Sequence, residues 1–294
     1  MPKSLSRSEV LSILTAYFIE ESFVPETWTL ESSRPVTDAK SEWVKRLLER
    51  TTVHDQDFLV FGHFRDPAST ILDVGANYGY SAASIWASGA SSGVISFEPI
   101  QGYEKILDRI RQCRRGRFDF VMTALGNQTG SIRLTTPVVN GRGAAALTTA
   151  VAIPNLEGLA ENIFRHAARF KKEIYSLKFY RFVAPITTLD RALAERRFRV
   201  NTDRIVALKI DTEGFEAPVL LGASDVLRVH KPLIMVEGGC YNPVINKTVL
   251  PLGYSFAMRE GRHLLLSNNF PKGINGFYVH TENAHKYREM GLLQ

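Results

Sequence analysis

Short apolar runs alternate with amphipathic segments through much of the chain. "TILDVG" (70–75), "GVISFEP" (93–99) and "FDFVMTALG" (118–126) are brief runs of branched and aromatic residues bounded by glycine or an acid, the pattern of buried strands. "YSAASIWAS" (80–88) and "GYEKILDRIRQC" (102–113) lie between them and predict helices. The alternation resumes with the strand "RIVALKID" (204–211), the helix "APVLLGASDVLRVH" (217–230) and the strand "PLIMVEG" (232–238). "GSIRLTTP" (130–137) reads as a further strand, and "YSFAMREGRHLLLS" (254–267) with "NGFYVH" (275–280) as a closing antiparallel pair. Strands that alternate with helices predict an α/β fold with a parallel, doubly wound sheet. Right-handed crossovers then put helices on both of its faces.

Two segments stand outside this alternation. Residues 6–23 predict a helix: Ser6 and Glu9 have the spacing of a capping box, and Val10, Ile13, Leu14, Tyr17 and Phe18 follow at helical spacing. "DAKSEWVKRLLER" (38–50) predicts a second helix, so residues 1–66 are expected to be a helical extension flanking the sheet and 67–294 the main domain. Within that domain, 140–184 reads as an insertion. Leu156, Leu159, Ile163, Ala167, Phe170, Ile174 and Leu177 recur at steps of three and four, which predicts one long helix with an apolar face. Packing on its own domain, a substrate lid, a homo-oligomer contact and a membrane-surface helix are all open for it.

Composition narrows the class. The 294 residues are 45% hydrophobic and 22% charged, ordinary for a soluble globular protein. No apolar run is long enough to span a bilayer, and the N-terminus does not read as a signal peptide. Cys113 and Cys240 are too few and too far apart for a disulfide framework or a zinc site. The expectation is a reduced, cytoplasmic protein, in which the sequons at Asn127 and Asn246 are chance matches. The net charge of +6 is mild. Basic runs at "RIRQCRRGR" (109–117) and "ERRFRV" (195–200) read as solvated ends of elements, with no nucleic-acid motif beside them.

The chemistry starts at "DVGANYG" (73–79), where the first strand meets its helix. In such sheets ligands bind beyond the carboxyl ends of the strands. The loop lacks the Lys-Ser/Thr of a P-loop. Asn77 and Tyr80 stand where a dinucleotide fingerprint has its second and third glycines, which argues against a pyrophosphate. Glu98 ends the second strand, where a carboxylate can accept both hydroxyls of a ribose. An adenosine ligand without a pyrophosphate fits this set, and S-adenosylmethionine meets that description.

Further blocks sharpen the reading. "ILDVGANYGYSA" (71–82), "ISFEPIQGYEKIL" (95–107), "TALGNQTGSIRL" (123–134), "APITTLD" (184–190), "LKIDTEGFEAPVLLGA" (208–223) and "LIMVEGG" (233–239) together resemble the FkbM-type family of S-adenosylmethionine-dependent methyltransferases. "KIDTEGFE" (209–216) is the most specific of them; Thr212 stands where the family usually has an apolar residue. The resemblance implies a class I methyltransferase (Rossmann-like) fold with a seven-stranded sheet whose last strand is antiparallel. It also implies methyl transfer to a hydroxyl oxygen, in many members on a sugar or a polyketide-like natural product, so the expected acceptor is a small molecule or a carbohydrate.

On that footing, Gly75 and Gly79 let the backbone approach the methionine moiety or simply supply the turn. Asp73 orients the loop or meets the amino group. Asn77 and Tyr78 lie against the cofactor, Glu98 holds the ribose, and Ala124 and Leu125 border the adenine. Asp211, Glu213 and Glu237 converge on one rim of the sheet. One of them could be the base for the acceptor hydroxyl, together they could hold a divalent cation such as Mg2+, or they could brace loop amides. Lys209 shares the parity of Asp211 and could pair with it or steer the substrate. Glu216 opens a helix, where an acid suits the dipole. Tyr241, Asn242 and Asn246 are placed near the acceptor. Of the histidines, His54, His63, His166 and His263 are left unassigned. Two other classes stay open: a catalytically silent binding protein on the same fold, and a nucleic-acid methyltransferase, which lacks the Asn/Asp-Pro-Pro-aromatic signature here.

Overall fold

The computed structural model describes residues 3–19, 39–144, 147–150, 155–169, 173–238, 242–267 and 275–294. In chain order its strands are β1 (Thr70–Val74), β2 (Gly93–Phe97), β3 (Phe118–Val121), β4 (Ala124–Leu125), β5 (Gly130–Val139), β6 (Arg142–Gly143), β7 (Leu177–Thr187), β8 (Ile205–Ile210), β9 (Leu233–Glu237), β10 (Tyr254–Glu260), β11 (His263–Leu266) and β12 (Asn275–His280). Its helices are α1 (Arg7–Phe18), α2 (Ala39–Leu48), α3 (Tyr80–Ala87), α4 (Glu104–Cys113), α5 (Leu156–Arg169), α6 (Leu189–Glu195), α7 (Glu216–Leu221), α8 (Ser224–Val229), α9 (Pro243–Val249) and α10 (Ala284–Glu289). The chain divides into two compact units, one of residues 1–35, 131–184 and 213–215, the other of 36–130, 185–212 and 216–294.

The larger unit is built on an eight-stranded sheet in the order β11-β10-β12-β9-β8-β1-β2-β3. Strands β3, β2, β1, β8 and β9 run parallel, and β12 enters antiparallel between β9 and β10. Every residue of β1, β2 and β8 is buried, as strands covered on both faces require. Side chains such as Leu72, Ile95, Leu208 and Ile234 join Val219 and Leu227 of α7 and α8 in one core. The sheet has one strand more than the seven expected. The extra strand arises because 254–267 is a hairpin, not one strand: it turns at Gly261, whose φ of +60° suits glycine, and β11 pairs back on β10. The helix expected over 217–230 is likewise two helices, broken at Gly222, where a Cβ would run into the carbonyl of Gly126.

In the smaller unit the capping box on Ser6 forms as expected, opening α1. Helix α1 packs on α5, and Val10, Leu14, Tyr17, Ala160, Ile163 and Phe179 share a core with Val139 of β5. The single long helix expected from Leu156 to Leu177 is corrected here. The described helix ends at Arg169, and β7 begins at Leu177. Leu177 and Phe179 are buried while Lys178 between them is exposed, a strand alternation that a step of three from Ile174 had masked. Phe170 lies outside the described residues.

Candidate active site

The site residues of the larger unit gather where β1, β2, β8 and β9 end. Asp73 of β1 sits in register between Ser96 of β2 and Lys209 of β8. Its carboxylate accepts the Ser96 hydroxyl at 2.8 Å and faces the Lys209 ammonium at 3.3 Å. Asp73 has no exposed surface. Through these contacts it braces the strand ends from which the loop starts. Lys209 carries the effect onward: its ammonium donates to the carbonyls of Gly75 at 3.1 Å and Val74 at 3.4 Å, and faces Asp211 at 3.5 Å.

The loop after β1 is shaped by its own backbone. Gly75 has φ of +82°, and a Cβ there would run into the carbonyl of Asp211. Gly79 has φ of +81° and opens α3. Both glycines thus have a demonstrable turn and packing role. Asn77 takes the left-handed conformation, φ +50°, and its side chain accepts from the amide of Tyr78 at 2.9 Å. The ring of Tyr78 lies 4.1 Å from that of Tyr103 and 6.0 Å from that of Trp43 on α2.

Glu98 follows β2 and is buried. One carboxylate oxygen accepts from the amide of Asn77 at 2.7 Å, the other from that of Ile100 at 2.8 Å. Burial pushes its carboxyl up to about 7, against the lowering pull of these two amides. Each carboxylate oxygen keeps a second lone pair, so Glu98 can still accept from a ligand hydroxyl. Ala124 and Leu125 are buried in β4, paired with Ile186 and Thr187.

Asp211 follows β8, with its side chain 44% exposed. Burial works to raise its carboxyl, but the Lys209 ammonium and a hydrogen bond with Glu237 outweigh that and hold it below its ordinary value. Lys209 itself is buried. Its desolvation is overcome by Asp211 and Asp73, so it stays charged. Asp211 and Glu237 are half-buried carboxylates that could take a proton or, through oxygen, a cation. Glu213 belongs to the smaller unit, with φ of +52° and its carbonyl accepting the Thr149 hydroxyl at 3.0 Å. Glu216 is bound by the amide of Thr212 at 2.9 Å and its hydroxyl at 3.1 Å, a bracing role. Asn242 caps α9, Asn246 accepts the Tyr278 hydroxyl at 2.7 Å, and Tyr241 lies outside the described residues.

The sequence reading missed His54. Its Nδ1 lies 2.6 Å from the hydroxyl of Ser84 on α3. Burial, and then the charge of Lys209, hold the imidazole below its ordinary value. No motif surrounds His54 in the sequence; only the fold brings it into the field of Lys209 and Asp211.

Parallel strands in the order β3-β2-β1-β8-β9, an antiparallel strand inserted before the last hairpin, and a glycine loop after β1 define a class I methyltransferase fold. Residues 73–244 match the methyltransferase FkbM domain. The chain belongs to the FkbM methyltransferase family. Comparison with curated proteins gives no match. Among solved structures, the chain is similar to a methyltransferase FkbM from Methylobacillus flagellatus KT (13% identity, TM-score 0.40), covering 83% of this chain and 59% of that one. It is also similar to a putative RNA methyltransferase from Pyrococcus horikoshii (10% identity, TM-score 0.32; 94% and 96% covered). A third similar structure is an O-methyltransferase from Bacillus cereus in complex with SAH (13% identity, TM-score 0.34; 92% and 98% covered). No described helix is long and apolar enough to cross a membrane.

Proposed function

We propose that this protein is an S-adenosylmethionine-dependent O-methyltransferase whose acceptor is a hydroxyl of a sugar, a glycan or a glycosylated natural product. The observation that carries the reading is a pair of carboxylates flanking one glycine loop. Glu98 is buried on one side, bound to the amide of Asn77. Asp211 is ionised and half-exposed on the other, its own amide bonded to Val74. The first suits a ribose diol, and the second suits a hydroxyl that must lose a proton. When bound, S-adenosylmethionine supplies an electrophilic methyl group on a sulfonium. Asn77, Tyr78, Ala124 and Leu125 line the cofactor in this reading.

Asp211 would take the proton of the acceptor hydroxyl as that oxygen receives the methyl group. Lys209 keeps Asp211 ionised and holds the loop carbonyls, so it is a positioning residue. Glu237 shares a hydrogen bond with Asp211 and steadies its orientation. Positioning of the two reactants supplies much of the remaining acceleration.

Calorimetric titration with S-adenosylmethionine and S-adenosylhomocysteine, with NAD as control, tests the cofactor. Saturable binding of the first two and none of NAD is expected. Methyl transfer to a panel of sugar acceptors tests the rest. Cofactor binding without transfer to any hydroxyl acceptor would replace this reading with that of a silent binding protein.

A further inference from the structure

The two basic runs, more than 70 residues apart in sequence, meet at one edge of the sheet. Asp119 of the edge strand β3 is the hub: one carboxylate oxygen accepts the amide of Arg199 at 3.0 Å, the other faces the Arg111 guanidinium at 3.4 Å. Three carboxylates near this junction, Asp108, Asp119 and Glu195, are already taken. Arg111 holds both Asp108 and Asp119, and Glu195 is bound by Arg191 at 2.6 Å. Arg114 and Arg117 are tied to the carbonyls of Leu48 and Ser91. That leaves Arg115, Arg196, Arg197 and Arg199 exposed, with no acidic partner among the described residues.

We propose that this arginine surface docks an acidic segment of another protein. Uncompensated charge sets the sign of the partner. The composition sets its class: the two runs contain eight arginines and no lysine. Enrichment in arginine with depletion of lysine marks protein interfaces, and the guanidinium fork pairs with carboxylates in two-point fashion. Contact of this patch with the same patch on a second copy of the chain is opposed by like charge. The patch lies where β3 begins, whereas Gly75, Glu98 and Asp211 lie where the strands end, so a docked partner leaves the candidate active site open.

The test is fluorescence anisotropy of a labelled oligoglutamate peptide on the full chain, at low and high salt. The paired substitution Arg196→Glu/Arg197→Glu is compared with the equal charge change Lys247→Glu/Arg288→Glu on other exposed surface. Saturable, salt-sensitive binding that the first pair weakens about tenfold and the second no more than about twofold is expected. Circular dichroism spectra matching the parent confirm that both variants are folded. Equal weakening by both pairs would overturn the proposal. So would binding of an RNA oligomer or of phosphatidylglycerol vesicles, but not of the peptide.

Discussion

One carboxylate oxygen of Glu98 lies 2.7 Å from the backbone nitrogen of Asn77, so a side chain at the end of β2 holds the conformation of the loop that follows β1. Glu98→Ala removes that brace and the proposed ribose acceptor together. The affinity for S-adenosylhomocysteine, read by calorimetry, should fall by about tenfold to a hundredfold, the loss expected for a charge-assisted hydrogen bond. Unchanged affinity would remove Glu98 from the cofactor site.

The same carboxyl gives a pH signature. Its value in the folded protein is raised to about 7, above the ordinary 4.5. The stability tied to it is therefore fully present below the ordinary value and is lost as pH rises through about 7. Thermal stability of the unliganded protein should decline across that window. Cofactor affinity should move the other way, since a ribose diol donates better to an ionised carboxylate. Glu98→Gln should flatten both trends.

Lys209 is a buried cation between two carboxylates, 3.3 Å from Asp73 and 3.5 Å from Asp211. Lys209→Met leaves Asp73 buried and uncompensated and should cost roughly 3–5 kcal/mol in urea unfolding. Adding Asp73→Asn to it should restore part of the loss. A double variant no more stable than Lys209→Met would show that the pair is not coupled.

Asp211→Asn keeps the shape of the site and removes its base. Turnover should drop by about 10²- to 10⁴-fold while cofactor affinity stays within about threefold, and the acid limb of the rate profile should disappear. A chelator separates this role from that of a cation ligand. With Asp211 as base, activity survives chelation; loss that magnesium restores would reassign the carboxylates to a metal.

Gly75→Ala puts a methyl group onto the Asp211 carbonyl at a φ of +82°. A loss of about 2 kcal/mol or more in thermal or urea unfolding is expected. A neutral effect would mean that the β1 loop and the β8 end can part without cost.

The parts of the fold that were legible in the sequence are those where local pattern and tertiary setting agree. β1, β2, β8 and β9 are short apolar runs between turn residues, and they are buried strands in the structure. β7 was hidden because Leu177 falls three residues after Ile174, so the helical period of α5 runs on into it in sequence. The turn at Gly261 carried a local signal, lying between the charged residues Glu260 and Arg262, which a single strand over 254–267 runs across. At the site, Glu98 and Asp211 could be read as strand-ending acids. The burial of Lys209 could not, because a lysine in a strand pattern looks solvent-facing until its cross-strand partner is known. The convergence of the two arginine runs rests on Asp119, which no local pattern distinguishes from any other strand acid.

The row Ser96–Asp73–Lys209 also constrains how the chain can assemble. Apart from these groups and Thr70 at the start of β1, the side chains of β2, β1 and β8 are apolar or absent, so hydrophobicity alone distinguishes poorly between one alignment and the next. A β8 paired one residue out of step would turn the Lys209 ammonium to the opposite face, against side chains with no counter-charge. The ion pair therefore works as a key during folding: it penalises the misaligned sheets that three greasy parallel strands would otherwise tolerate.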